Sequence, residues 1–389
     1  MNIATYAFTI VAARLLGPRP FGGLAAVMNV LLVAGVVSLA LQATAARRIA
    51  REPGDVHEVE AAILTVGRRS AIGLGVLLAL AAPLVDAALK LDSIGTALLM
   101  AFAVVPITHM GAQAGVLQGE RRWLPLSVLY LAAGVPRLVL GTVALLVEPD
   151  ETVAVAAVAV AAWAPVLVGS VTLRRLRIGR AAHDGESDHS PRALWWETVY
   201  NSQALLAFLV LSNVDIVIAR NTLDGHAAGL YAGGLILVKA VLFLPQFVVV
   251  LAFPSMGTEE ARRSALTASL GLVALAGVCA TLATWLLSGL ALVFVGGSEY
   301  GGIEDDLWAF AVLGTLLSMI QLLVYSVVAR QARNSIVLLW LGLAVLIGVG
   351  LTSSSVTELV GRVIAVDAGL FVVLLGVSLW RLREAPAGS

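Results

Sequence analysis

Apolar residues in this chain do not alternate with polar ones on the period of a water-facing helix. They run on for about 18 residues or more at a time, separated by short polar stops, and a run of that length crosses about 30 Å of hydrocarbon as an α-helix. The stops place spans near residues 1–15, 21–46, 70–89, 94–117, 124–147, 152–173, 196–219, 228–256, 265–292, 306–328, 335–352 and 359–380. The pattern predicts an all-α polytopic membrane protein of about 12 transmembrane helices with little of itself outside the bilayer. The first run is only about 13 residues and lacks the basic start of a cleavable signal, so it reads as a membrane helix whose given sequence begins late.

Composition supports the membrane reading. Hydrophobic residues make up 59% and charged residues 13%, whereas a soluble domain carries about 25% charged residues. Mean hydropathy is +0.94. The net charge of zero removes nucleic acid as a partner. The one cysteine, Cys279, lies in an apolar run, where it reads as a small packing residue. Orientation follows from the basic residues. With a cytoplasmic N-terminus, eighteen lie in inside loops, among them Arg47, Arg48, Arg121, Arg122, Arg174 and Arg175. Five lie outside: Arg14, Arg19, Lys90, Arg220 and Arg362. Positive residues stay on the cytoplasmic side, so both termini are expected inside.

The longest hydrophilic stretch divides the chain into an N-terminal six-helix lobe at 1–173, a cytoplasmic linker at 174–194 and a C-terminal six-helix lobe at 195–389. Ala13-Arg14 and Ala219-Arg220, Gly23-Leu24 and Gly229-Leu230, and Leu31 and Leu237 share the offset 220 − 14 = 206. Span one thus pairs with span seven, which implies parallel repeats about an axis along the membrane normal.

Ionisable groups inside spans are costly and mark a cavity or a pathway. Arg137, just after Pro136, and Lys239, ahead of Pro245-Gln246, both fall near mid-membrane. They either line a cavity for an anionic substrate or pair with acidic side chains that lock helices together. Asp215, Asn213 and Asp367 lie nearer the outer side and Glu197 nearer the inner side. For Asp215 a local pair with Arg220 or Arg14 competes with an ion-coupling role, and Asp367 has extracytoplasmic water as its alternative. His109 and Gln113 are spaced to share one helix face. Asn29, Gln42, Gln246 and Gln321 suit interhelical hydrogen bonds. Pro106, Pro136, Pro165 and Pro245 sit inside spans as candidate hinges. No phosphate-loop, zinc-protease or nucleophile-elbow motif occurs, and the outer loops are short, so neither an enzyme nor a cofactor is expected.

Four stretches carry a resemblance: Ala13-Arg-Leu-Leu-Gly-Pro-Arg-Pro-Phe-Gly22, Leu117-Gln-Gly-Glu-Arg-Arg-Trp123, Asn213-Val-Asp-Ile through Ala228-Gly-Leu-Tyr231, and Phe294-Val-Gly-Gly-Ser-Glu-Tyr300. Across essentially the whole chain the sequence resembles polysaccharide biosynthesis proteins of the oligosaccharide flippase group. That group belongs to the multidrug/oligosaccharidyl-lipid/polysaccharide (MOP) exporter superfamily. The resemblance implies a MATE-like V of two six-helix lobes in the bacterial plasma membrane. It also implies a transporter that moves undecaprenyl-diphosphate-linked glycan from the inner to the outer leaflet by alternating access. Its cationic cavity would comprise Arg14, Arg137, Arg220 and Lys239, with Asp215 the matching acidic position. A cytoplasmic entrance of Arg47, Arg48, Arg121 and Arg122 would gather the anionic headgroup, with Asp215 or Asp367 as ion-coupling sites. Implied partners are the lipid-linked oligosaccharide, membrane lipids, and a glycan polymerase or glycosyltransferases. The short first helix and sparse central charges depart from the pattern. A drug/cation antiporter on the same fold, which wants embedded carboxylates, and a non-transporting scaffold of a glycan-synthesis complex are the competing classes.

Overall fold

The computed structural model describes residues 2–51, 56–178, 203–242, 259–329 and 333–384, and every regular element among them is helical. Among the described residues ten helices are long and apolar enough to cross a membrane, and two shorter apolar helices, Ile3–Leu16 and Ile336–Gly350, fall where the first and eleventh spans are expected. Large apolar side chains cover the outside as well as fill the core, and some polar ones are buried. Leu80, Leu124 and Val147 point outward while Thr96, Thr108, Gln113, Asp215 and Asp367 are buried. So much exposed apolar surface is stable only where the surroundings are hydrocarbon. The protein is therefore an all-α polytopic membrane protein.

By its contacts the chain divides into two units, Met1–Leu16 with Gly23–Gln203, and Gly17–Gly22 with Ala204–Ser389. The first contains α1 (Asn2–Leu16), most of α2 (Pro18–Ala34), α3 (Val36–Arg51), α4 (Val56–Leu80), α5 (Ala82–Leu89), α6 (Ile94–Gly119), α7 (Trp123–Val147), α8 (Glu151–Ala161) and α9 (Trp163–Ile178). Local sequence sets the starts and breaks. Ser93 caps α6 by accepting from Gly95 N at 3.0 Å, and Asp150 caps α8 by accepting from Thr152 N and Val153 N at 2.8 and 3.2 Å. A proline in the first turn of α5 separates it from α4, since proline offers no amide hydrogen. Arg47, Arg48, Arg68 and Arg69 lie on α3 and α4 and not in loops. Arginine is a good helix former, so a polar stop marks the end of the hydrocarbon without ending the helix.

Close approach of α3 and α6 builds the core of this unit. A β-carbon on Gly111 would fall 2.1 Å from Ser38 O, one on Gly115 2.7 Å from Gln42 O, and one on Gly119 2.7 Å from Ile49 Cβ. Small residues every fourth position let two backbones meet where apolar solvent supplies no hydrophobic drive. Leu41, Ile49, Ile63, Ala112, Val116 and Leu129 fill in around the seam.

The second unit contains α10 (203–211), α11 (Val214–Thr222), α12 (Gly225–Leu242), α13 (Glu259–Leu286), α14 (Ser288–Val295), a 3₁₀ turn over Ser298–Asp306, α15 (Leu307–Ala329), α16 (Arg333–Gly350) and α17 (Val356–Glu384). Its centre is aromatic. Tyr231 meets Phe310 edge-on at 5.3 Å, and Phe21 meets Tyr300 at 6.3 Å. The corner at Gly17–Gly22 packs here: a β-carbon on Gly229 would fall 1.9 Å from Pro18 O. Stretches singled out in the sequence, Gly17–Gly22, Ala228–Tyr231 and Phe294–Tyr300, thus meet in one place. Helix ends also repeat with the offset seen in the sequence, since α1 ends at Leu16 and α11 at Thr222, and 222 − 16 = 206. Cys279 is exposed on the outward face of α13 and is not the packing residue that its apolar run suggests. Most of the expected linker, and with it Glu197, Pro245 and Gln246, lies outside the described residues.

Candidate functional site

The seventh span is not one helix. After α10 the chain turns at Ser212-Asn213 and resumes as α11, so Asn213 and Asp215 flank a break inside the apolar stretch. Asn213 Nδ2 donates to Leu209 O at 2.7 Å and takes up one carbonyl that the break leaves free. Asp215 starts the new helix, where a carboxylate is favoured by the helix dipole, and its Oδ1 accepts from Ile216 N at 2.9 Å. Its Oδ2 accepts the Tyr231 hydroxyl at 3.0 Å. From the last turn of α12 the Lys239 ammonium donates to Asn213 Oδ1 and is close enough to act electrostatically on Asp215.

Asp367 completes the group from α17. It is 1% exposed, neither of its oxygens has a hydrogen-bond partner among the described residues, and its charge acts on both Asp215 and Tyr231. Extracytoplasmic water does not reach it. Two carboxyls, a phenol and an amide are buried here, with the half-buried Lys239 ammonium beside them. Arg220 is also buried in this unit, with its guanidinium against Gly22.

In the first unit Arg137 is half-buried on α7, and its Nε has no hydrogen-bond partner among the described residues. Arg14 is exposed in the last turn of α1. Arg47 and Arg48 in the last turns of α3, and Arg121 and Arg122 after α6, come to the same end of the unit because Gly119 packs on Ile49. Arg121 adopts a left-handed backbone, φ 58°, to make that turn, and Arg122 Nε lies 3.7 Å from Glu120 Oε2. His109 and Gln113 do not act as a pair. Gln113 Nε2 bonds Val166 O and Ser170 Oγ on α9 at 3.2 and 3.0 Å, whereas His109 faces Gly67 on α4. Gln42 bridges helices as expected, donating to Gln118 Oε1 at 2.7 Å and Tyr130 OH at 2.6 Å.

Tyr231 and the partnership of Asn213 with Lys239 went unread in the sequence. A phenol in a run of small apolar residues needs an acceptor once buried, and Ser-Asn inside a span signals a turn; both cues are present. Outside the spans, Asp224 caps α12. Its Oδ1 accepts from Ala227 N and His226 N, and these bonds hold its carboxyl below the ordinary carboxylate range.

Residues 1–258 match the polysaccharide biosynthesis protein family. The chain belongs to that family. No curated protein sequence matches it. Among solved structures the chain is similar to a multidrug-resistance MATE family transporter of the MOP superfamily. In that protein's inward-facing conformation the TM-score is 0.71 at 13% identity, covering 99% of this chain and 96% of the other. The outward-facing conformation of a multidrug-resistance MATE family transporter gives 0.60 at 14% identity, with coverage of 99% and 96%. A eukaryotic MATE transporter, AtDTX14, gives 0.60 at 12% identity over 97% and 94%. At these identities the likeness establishes a MATE-like fold.

Proposed function

We propose that this family member is a flippase for lipid-linked oligosaccharide, moving undecaprenyl-diphosphate-linked glycan from the inner to the outer leaflet by alternating access. Its setting is the bacterial plasma membrane, with both termini cytoplasmic, a reading supported by the side on which the basic residues gather. One observation carries the reading: a polysaccharide biosynthesis protein has the fold of transporters, and so needs a membrane-crossing cargo from that chemistry. The arginines gathered at the end of α3 and α6 attract an anionic headgroup. Half-buried Arg137 on α7 in the first unit, and buried Arg220 and half-buried Lys239 in the second, are the candidate cations for phosphate oxygens, with Arg14 exposed at the end of α1. Asp215 and Asp367 are the candidate coupling acids. The polyprenyl tail stays in lipid, and a glycan polymerase or glycosyltransferases act on either side of the step.

The test is complementation of a flippase-deficient strain. Arg137→Ala and Lys239→Ala insert normally and lose complementation; wild-type function in both removes the cation assignment. A second reading, a drug/cation antiporter, is favoured by the paired buried carboxyls Asp215 and Asp367, which such a carrier uses for its cation. Drug resistance conferred by the wild type without glycan complementation selects it.

A further inference from the structure

The Lys239 ammonium has one hydrogen-bond partner among the described residues, Asn213 Oδ1. The backbone that carries it is fixed, since a β-carbon on Gly314 of α15 would fall 2.9 Å from Val238 O and the Ser318 hydroxyl donates to Val241 O at 3.3 Å. What remains loose is the four-carbon stem of the lysine, and the bond to Asn213 removes that freedom. The amide is itself locked. At the break Asn213 N bonds Val210 O at 3.2 Å, which leaves Leu209 O without its usual helical donor. Asn213 Nδ2 donates to that carbonyl at 2.7 Å and to Ser212 Oγ at 3.0 Å, so both amide hydrogens are engaged and Oδ1 is left facing the ammonium. Turning the amide over would set its hydrogens against those of the ammonium and its oxygen against Leu209 O. Asp215 is committed elsewhere, Oδ1 accepting from Ile216 N and Oδ2 from the Tyr231 hydroxyl. An ammonium has three donors, so two of those on half-buried Lys239 have no partner among the described residues.

We propose that Asn213 is a positioning residue for the cargo: it holds the Lys239 ammonium in place without neutralising it, and the two remaining donors take phosphate oxygens. The inference rests on the flippase reading and names the residue that prepares one of its cations. A neutral amide suits this role where a carboxylate does not. An ion pair would orient the ammonium and also cancel the charge that a phosphate needs, whereas an amide oxygen orients it and leaves the full charge for charge-assisted bonds. The break in span seven gives the amide its anchor, because an unbroken helix would engage Leu209 O with the backbone hydrogen of Asn213.

The experiment is a double-mutant cycle in the binding of a short-chain polyprenyl diphosphate to the purified full chain, with inorganic pyrophosphate as a parallel arm. Asn213→Thr keeps a hydroxyl for Leu209 O, the bond that Thr222 makes to Ile218 O at 2.9 Å, but that hydroxyl is too short to reach Lys239. The variant should bind roughly tenfold more weakly where Lys239 is present, and no more weakly beside Lys239→Met. Asn213→Asp, an acceptor with a full negative charge, should lose more than Asn213→Thr. A residue that only kept the break in shape would have the same effect with or without the lysine. Equal losses in the two backgrounds, no loss in either, or an Asn213→Asp that binds like wild type therefore overturns the proposal. Asn213→Ser repeats the cycle if the threonine variant is not recovered folded. Coupling with pyrophosphate as well assigns the site to phosphate chemistry alone; coupling with lipid alone assigns it to the lipid headgroup. Lys239→Met that loses affinity without coupling to Asn213 overturns the positioning role and leaves the flippase reading intact. Lys239→Met that binds like wild type, or a folded wild type that binds neither probe, overturns both the positioning role and the cation assignment beneath it.

Discussion

Replacing Asp367 with leucine should make the protein more stable and less active. The carboxyl is 1% exposed, neither oxygen accepts a hydrogen bond from a described residue, and the like-charged Asp215 is within electrostatic reach. A buried polar group without a partner costs about 1–3 kcal/mol. Leucine removes that cost, but it is bulkier than aspartate, and overpacking returns part of the gain, leaving a net of about 1–2 kcal/mol. Thermal unfolding of the detergent-purified protein, followed by tryptophan fluorescence for variant and wild type at one pH, reads the difference. Complementation of the flippase-deficient strain reads activity, which should be lost, as expected for an acid kept at the expense of stability. A variant that is less stable by more than about 1 kcal/mol would refute the reasoning, since it would show the carboxyl to be held by a partner and its burial to be structural.

Other consequences are open to the same assays. Gly111→Ala drives a methyl into the α3 backbone at Ser38 and should cost about 3 kcal/mol, whereas Gly73→Ala, with nothing within 4 Å, should be neutral or gain up to about 1 kcal/mol. Equal melting temperatures for the two would dismiss the glycine seam. Tyr130→Phe removes one of the two acceptors of Gln42 and should lower stability by about 0.5–1.5 kcal/mol, an effect that Gln42→Leu in the same chain should abolish. Asp224 has a lowered carboxyl value, so its capping contribution is full above the ordinary value, about pH 4, and is lost as pH falls through its own value. Melting curves of Asp224→Ala and wild type should therefore differ at pH 7 and converge on strong acidification. Asp150→Ala removes the cap of α8 and should cost about 1 kcal/mol at neutral pH.

Run length alone determined the fold class and most span positions, because hydrocarbon imposes one secondary structure and one minimum length on whatever crosses it. The offset of 206 read from Arg14 and Arg220 reappears in the ends of α1 and α11, since helix ends follow local sequence. Helix continuity past the polar stops escaped such reading, as at Arg47 and Arg68, because polar residues end a bilayer crossing without ending a helix. The chemistry of the buried charges was decided by tertiary structure. Asn213, Asp215, Tyr231, Lys239 and Asp367 can be picked out one by one in the chain, but which amide holds the ammonium, which carboxyl accepts from the phenol, and which acid is left without a donor depend on the rotation of three helices about their axes. A few tens of degrees of rotation exchange one neighbour for another, and no local propensity records that angle; only the packing of α11, α12 and α17 sets it.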